Sequence, residues 1–102
     1  MSTLKIFENP EFGKVRATLI DNKPYFVGSD VARILGYAIP HKAVRDHCKG
    51  VLKQNILTSG GYQEMLVIPP GDVYRLIAKS RLPIGEKFES WLFDEVVPSI
   101  FE

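Results

Sequence analysis

The stretch Tyr25–Cys48, YFVGSDVARILGYAIPHKAVRDHC, holds the clearest start, stop and restart signals in the chain. Tyr25, Phe26 and Val27 are aromatic or β-branched and suit a buried strand. Gly28 breaks that strand, and Ser29 or Asp30 can cap the helix that follows by accepting a backbone N–H bond. Val31, Ile34 and Leu35 fall on one helical face. Gly36 sits where a left-handed residue would end the helix, and Pro40, barred from helix interiors but accepted in a first turn, starts the next one through Ala43, Val44 and His47. The reading is a strand followed by two short helices joined by a tight turn. The second helix turns Lys42, Arg45 and Lys49 away from its apolar face, as a helix that meets phosphates or base edges would.

Short helix pairs are also common in small mixed domains, and surface lysines and arginines often only solvate a face. The spacing leaves both readings open. Ala32 and Gly36 suit a helix-turn-helix, but its next buried residue should come about six positions after the glycine, where this chain has Lys42, with Ala43 and Val44 just beyond. The turn must be longer than standard, so the pair is helix-turn-helix-like.

Outward from this stretch, Leu4, Ile6 and Phe7 begin a short strand ending at Asn9-Pro10, and Val15, Ala17 and Leu19 alternate with Arg16, Thr18 and Ile20 in a second. Asp21-Asn22-Lys23-Pro24 is turn chemistry leading into Tyr25, so the first 27 residues form an antiparallel meander. Downstream, Val51–Thr58 and Tyr62–Ile68 flank Ser59-Gly60-Gly61, a hairpin signal because glycine accepts the positive φ of tight turns. Pro69-Pro70 stops the second of these strands. Gly71 or Asp72 is expected to cap a helix with Val73, Leu76 and Ile77 on its inner face, ending at Leu82-Pro83 near Arg81. A last helix is predicted from Ile84 to Val97, with Phe88, Trp91, Leu92 and Val96 as an apolar stripe, Trp91 read as core, and Pro98 as the stop. The predicted class is therefore α+β: an N-terminal antiparallel meander, a helix-turn-helix-like pair, a β-hairpin and two C-terminal helices.

The chain has 102 residues, 45% of them hydrophobic and 25% charged, enough for one globular domain without staples. There is no internal repeat, linker, signal-peptide pattern or run of about 18 apolar residues, so no membrane association is expected. The lone Cys48 cannot form an internal disulfide, which fits a reducing compartment. The formal net charge is only +1 but unevenly spread. Lys42, Arg45, Lys49 and Lys53 outweigh Asp46 in the middle of the chain, and Arg75, Lys79 and Arg81 form a second basic cluster. Glu86, Glu89, Asp94 and Glu95 outweigh Lys87 on the last helix.

Nothing nominates a catalytic centre. His41, His47 and Cys48 are spaced so that they cannot converge on one metal ion, because neighbours on a helix point about 100° apart. The same angle separates Cys48 from His47 as a nucleophile and base, and neither a phosphate-binding Gly-rich loop nor a nucleophile elbow occurs. The expectation is a non-enzyme with no cofactor and no metal.

Six segments, IFENPEFGKVR, PYFVGSDVARILGY, PHKAVRDHC, GGYQEMLVI, VYRLIAKSRLP and KFESWLFDEVVPSI, together resemble the Bro-N domain of BRO proteins of large DNA viruses and of phage and prophage antirepressors. The resemblance runs from about Leu4 to Ile100. Pro69-Pro70-Gly71-Asp72 replaces a more polar turn, and His41 stands where serine is common. The resemblance implies a DNA-binding or gene-control role in the cytoplasm of a bacterial host cell, with no catalytic residues to carry over. It also implies one Bro-N-like domain over 1–102, read as the first domain of a longer protein. The residues nominated for double-stranded DNA come from the basic clusters: His41, Lys42, Arg45, Lys49, Lys53, Arg75, Lys79 and Arg81. A homo-oligomer or a tethered second domain would be needed for useful specificity. The alternative is an interaction module that inactivates a phage repressor, using either the basic face or the acidic helix.

Overall fold

Alternation of Val15, Ala17 and Leu19 with polar neighbours makes one face of a strand apolar, and the turns on either side fix its partners. A computed structural model describes residues 4–80 and 82–101. β1 (Lys5–Asn9), β2 (Gly13–Ile20) and β3 (Lys23–Val27) form the meander. Between β1 and β2 the Asn9 Oδ1 accepts the backbone N–H groups of Glu11 at 2.7 Å and Phe12 at 3.2 Å. Asp21 and Asn22, at φ 51° and 65°, make the two-residue left-handed turn that matches strand twist. β4 (Leu52–Thr58) and β5 (Gly61–Ile68) form the second hairpin. Its turn is shorter than expected: Gly61, at φ +99°, already pairs with Thr58, leaving Ser59-Gly60 as the loop.

All five strands join one antiparallel sheet in the order β1-β2-β3-β5-β4. Among the described residues the meander and the second hairpin are strand-paired only through Phe26↔Ile68 and Val27↔Val67. Beyond that seam β3 leaves the sheet and β5 continues alone with β4.

Four helical segments cover one sheet face: α1 (Gly28–Ile34), α2 (Pro40–His47), α3 (Pro70–Lys79), and a final helix made of α4 (Ile84–Trp91), a π-helical turn (Leu92–Val96) and α5 (Val97–Ile100). Phe26, Val31, Leu35, Val44, Leu76, Phe88 and Leu92 are buried between helices and sheet. A smaller cluster of Val27, Ile56 and Val67 lies apart from this core, with Tyr25 and Met65 against it. The fold is α+β, as the patterning predicts.

Five local expectations are corrected. Gly28 is not a breaker but the first residue of α1, after Val27 as N-cap. A Cβ there would stand 2.8 Å from Val44 Cγ2, so the glycine permits the close packing of α1 on α2. No side chain caps α1: Asp30 is buried and accepts the backbone N–H of Arg16 at 3.0 Å, with the Arg16 Nε and Nη2 donors at 2.8 and 2.9 Å. Arg16 lies just past the last β2–β3 pair, so this carboxylate takes the place of the strand that has turned away.

Asp72 is likewise not a cap. Pro69 is the N-cap of α3 and Pro70 its first residue. The buried Asp72 carboxylate instead accepts the N–H groups of Lys49 at 2.8 Å and Gly50 at 2.7 Å, and Arg75 Nη1 at 2.6 Å, fixing the loop between α2 and β4. α3 ends at Lys79, with Ser80 as C-cap. Finally, Pro98 does not end the last helix. The chain widens into a π turn just before it, where a proline ring would press on the preceding carbonyls, and the helix then resumes through buried Ile100.

Other signals are realised as read. Gly36, at φ +86°, ends α1 with bonds from its own N–H to the Arg33 oxygen and from Tyr37 N–H to the Ala32 oxygen, both 3.1 Å. The connection from Leu35 to Ile39 is longer than a standard helix-turn-helix turn, and α2 starts at Pro40.

Candidate functional site

The departure of β3 from the sheet opens a cleft of about 530 Å³ at the base of the β4–β5 hairpin. α2 supplies His41, Val44 and Arg45, β4 supplies Lys53, and β5 supplies Gln63, Glu64, Met65 and Leu66. Arg16, Val27 and Ser29 line it where the chain passes from β3 into α1. α2 presents these groups because Ala43 and Val44 anchor its other side in the core, leaving His41 and Arg45 outward.

Three of the eight nominated residues therefore come together, His41, Arg45 and Lys53. Arg45 and Lys53 form no ion pair among the described residues, whereas Arg16 is committed to Asp30. Hydrogen bonding to Asp30 raises the Arg16 pKa further, against the opposing effect of burial. Among the described residues Glu64 is the one carboxylate on the cleft wall. Lys42 is next to the cleft on α2, paired loosely with Asp46 at 3.5 Å on the exposed surface, an interaction worth at most about 1 kcal/mol.

The remaining nominations do not join them. Lys49 is exposed, but its backbone is held by Asp72; Arg75 pairs with the same carboxylate; Lys79 is exposed at the end of α3. Arg81 lies outside the described residues. Sequence reasoning missed Arg16, Gln63 and Glu64. Arg16 could have been noticed as the charged residue on the outer side of an apolar-alternating strand. Nothing local marks β5 as the strand whose second edge is left partly open.

A second depression, about 620 Å³, lies on the last helix and the β1–β2 turn. Glu11, Glu86, Asp94 and Glu95 surround it, with Lys87 reaching Glu11 at 3.7 Å. Trp91 is half-buried: its ring packs 5.6 Å from Phe12 and 6.2 Å from Phe88, while its edge lines this acidic surface.

The potential nucleophile is disarmed by its surroundings. Burial, with Asp72 nearby, pushes the Cys48 thiol up to about 12, so it stays protonated at neutral pH. His47 packs against the Tyr37 ring at 5.8 Å, and burial raises the Tyr37 pKa while its Oη donates to the Leu76 carbonyl at 2.6 Å. Among the described residues no group of His, Cys, Asp and Glu could hold a metal ion, and no helix is long and apolar enough to cross a membrane.

Residues 14–98 match the BRO family, N-terminal domain (Bro-N), and the chain belongs to this family. Among its relatives is an uncharacterised protein of Haemophilus influenzae, 50% identical over 78 residues that cover 74% of this chain and 39% of the relative. A Bro-N domain-containing protein, ORF2, of Autographa californica nuclear polyhedrosis virus is 31% identical over 78% of this chain and 30% of its own length. Another, from Invertebrate iridescent virus 6, is 26% identical over 85% of this chain and 26% of its own. The chain thus spans well under half the length of these relatives. No solved structure is significantly similar to it.

Proposed function

We propose that this domain binds double-stranded DNA as part of a transcription regulator of the phage or prophage antirepressor type. What supports the reading is the gathering of Arg45 and Lys53, which have no ion pair among the described residues, with His41 around one cleft, with Lys42 beside them on α2. Cations without protein partners are the groups that gain most from phosphate oxygens. BRO-family membership and the viral relatives agree with a phage or viral setting. Lys42, Arg45 and Lys53 would neutralise about three phosphates, giving a log-log salt slope near −2.7 and an affinity loss of about 40-fold between 50 and 200 mM salt.

The test is a titration onto a labelled random-sequence duplex at both salt concentrations, with Arg45→Glu/Lys53→Glu alongside. Binding that weakens steeply with salt and disappears in the variant supports DNA recognition. No retention at 50 mM salt removes it. A second reading, inactivation of a repressor by contact, is favoured by the acidic surface around Trp91, whose carboxylates suit a repressor's basic DNA-reading face. Charge reversal at Glu86 and Glu95 would abolish repressor binding under that reading and leave DNA retention unchanged.

A further inference from the structure

Four consecutive residues of β5, Gln63 to Leu66, line the same cleft. Successive side chains of a strand point to opposite faces, so a cavity touching all four abuts the strand's edge. The pairing agrees. β5 is matched to β4 along its length but to β3 only at Val67 and Ile68, so among the described residues Gln63–Leu66 have no strand on their other side. Across the notch the Arg16 amide is already taken by Asp30. The cleft therefore offers one live sheet edge.

We propose that this notch is a strand-addition site, in which an extended peptide segment with carboxylates at alternate positions pairs along the Gln63–Leu66 edge of β5. The space fits a strand: at about 3.4 Å per residue, 4.8 Å between strands and 10 Å of sheet thickness, one residue fills about 160 Å³, and the 530 Å³ cleft holds about three. The sequence preference follows from the two faces. Side chains on the helix side meet His41, Arg45 and Lys53, two of them cations without an ion pair among the described residues and opposed only by Glu64. Side chains on the other side meet Val27 and Met65, which share an apolar cluster. The partner is thus an acidic–apolar–acidic strand, recognised through its backbone as well as its charge. This goes beyond DNA binding and uses some of the same cations, so peptide and duplex compete.

The experiment titrates an acetylated, amidated Glu-Val-Glu-Val-Glu peptide into the isotope-labelled domain and follows amide shifts and hydrogen exchange. Three controls accompany it: the Lys-Val-Lys-Val-Lys peptide, the acidic peptide with alternate backbone amides methylated, and the Arg45→Glu/Lys53→Glu domain. Shifts and slowed exchange centred on Gln63–Leu66 are expected with the acidic peptide alone, and either methylation or the double substitution should weaken binding at least tenfold. Equal binding of the methylated peptide overturns the proposal, as charge attraction without strand pairing. So does an absence of shifts at Gln63–Leu66. The methylated peptide needs no altered protein, so the result does not depend on the variant folding. Duplex added to the same sample separates the two claims: DNA binding without peptide binding removes the strand site and leaves the DNA reading, and the converse removes the DNA reading alone.

Discussion

Replacing Asp72 with alanine should loosen the segment that links α2 to β4 and cost the domain about 3–5 kcal/mol. Asp72 is fully buried and accepts three donors: Lys49 N–H at 2.8 Å, Gly50 N–H at 2.7 Å and Arg75 Nη1 at 2.6 Å. Hydrogen bonds to a charged group contribute about 1.5–3 kcal/mol each when buried. Three such bonds would sum to about 4.5–9 kcal/mol, but two of the donors belong to exposed residues, Lys49 and Arg75, and water can replace part of what they lose, which brings the cost down to about 3–5 kcal/mol. Against a total stability of about 5–15 kcal/mol the loss is large. Urea unfolding followed by circular dichroism, at an m-value of about 2 kcal/mol/M, should show the midpoint falling by about 2 M. Amide exchange at Lys49 and Gly50 should accelerate as well. Asp72→Asn retains one acceptor oxygen but turns an amide N–H₂ toward one of the donors, so it should recover only part of the loss. A destabilisation below about 1 kcal/mol, with Lys49 and Gly50 exchanging as before, would refute the assignment of Asp72 as the anchor of this loop.

Gly28→Ala should destabilise by about 1–3 kcal/mol through overpacking on Val44, 2.8 Å from the new methyl group; Val44→Ala in the same chain should make the Gly28 change less costly, measured as a double-mutant cycle by thermal melts. Asp30→Ala, which strands the Arg16 guanidinium and backbone N–H, should cost about 3–5 kcal/mol, read by denaturant unfolding. Alkylation of Cys48 by iodoacetamide in the folded protein should be slow at pH 8 and accelerate only toward pH 12. The same upward shift means that Cys48 favours the folded state below its ordinary pKa of 9.0 and loses that contribution as the pH rises toward 12. Protein held in denaturant should by contrast be alkylated readily near pH 9.

The elements that were legible in sequence are those set by neighbouring residues. Asp21-Asn22, Gly36 and Pro40 specify backbone conformations that few other residues accept, so their turns and helix ends appear where the chemistry puts them. The two buried aspartates were misread because their positions, near the start of a helix, also suit caps. Their real partners, the Arg16 amide for Asp30 and the Lys49 and Gly50 amides for Asp72, are 14, 23 and 22 positions away in the chain. The same limit hid the site. That α2 would be basic and outward could be read from Lys42 and Arg45, but its meeting with Lys53 depends on two hairpins joining through only Phe26–Val27 and Val67–Ile68. Arg75 shows the opposite failure: its charge was visible in sequence, its commitment to Asp72 was not.

The π turn at Leu92–Val96 sets the rotational phase of the last helix. Phe88, Leu92, Val96 and Ile100 are all buried, at strict four-residue intervals. In an unbroken α-helix each such interval overshoots a full revolution by about 40°, so three would swing Ile100 about 120° away from Phe88. A turn of about 4.4 residues advances only about 82° per residue, so the Leu92-to-Val96 interval falls short by about 33°. The net rotation drops to under about 50°, and all four side chains stay against the sheet. Were the same residues to run on as ordinary α-helix, Ile100 would swing by about a further 70° toward solvent and its carbonyl would leave the Lys5 Nζ it now meets at 3.1 Å. The wide turn works as an angular correction that lets a helix follow a nearly straight apolar seam.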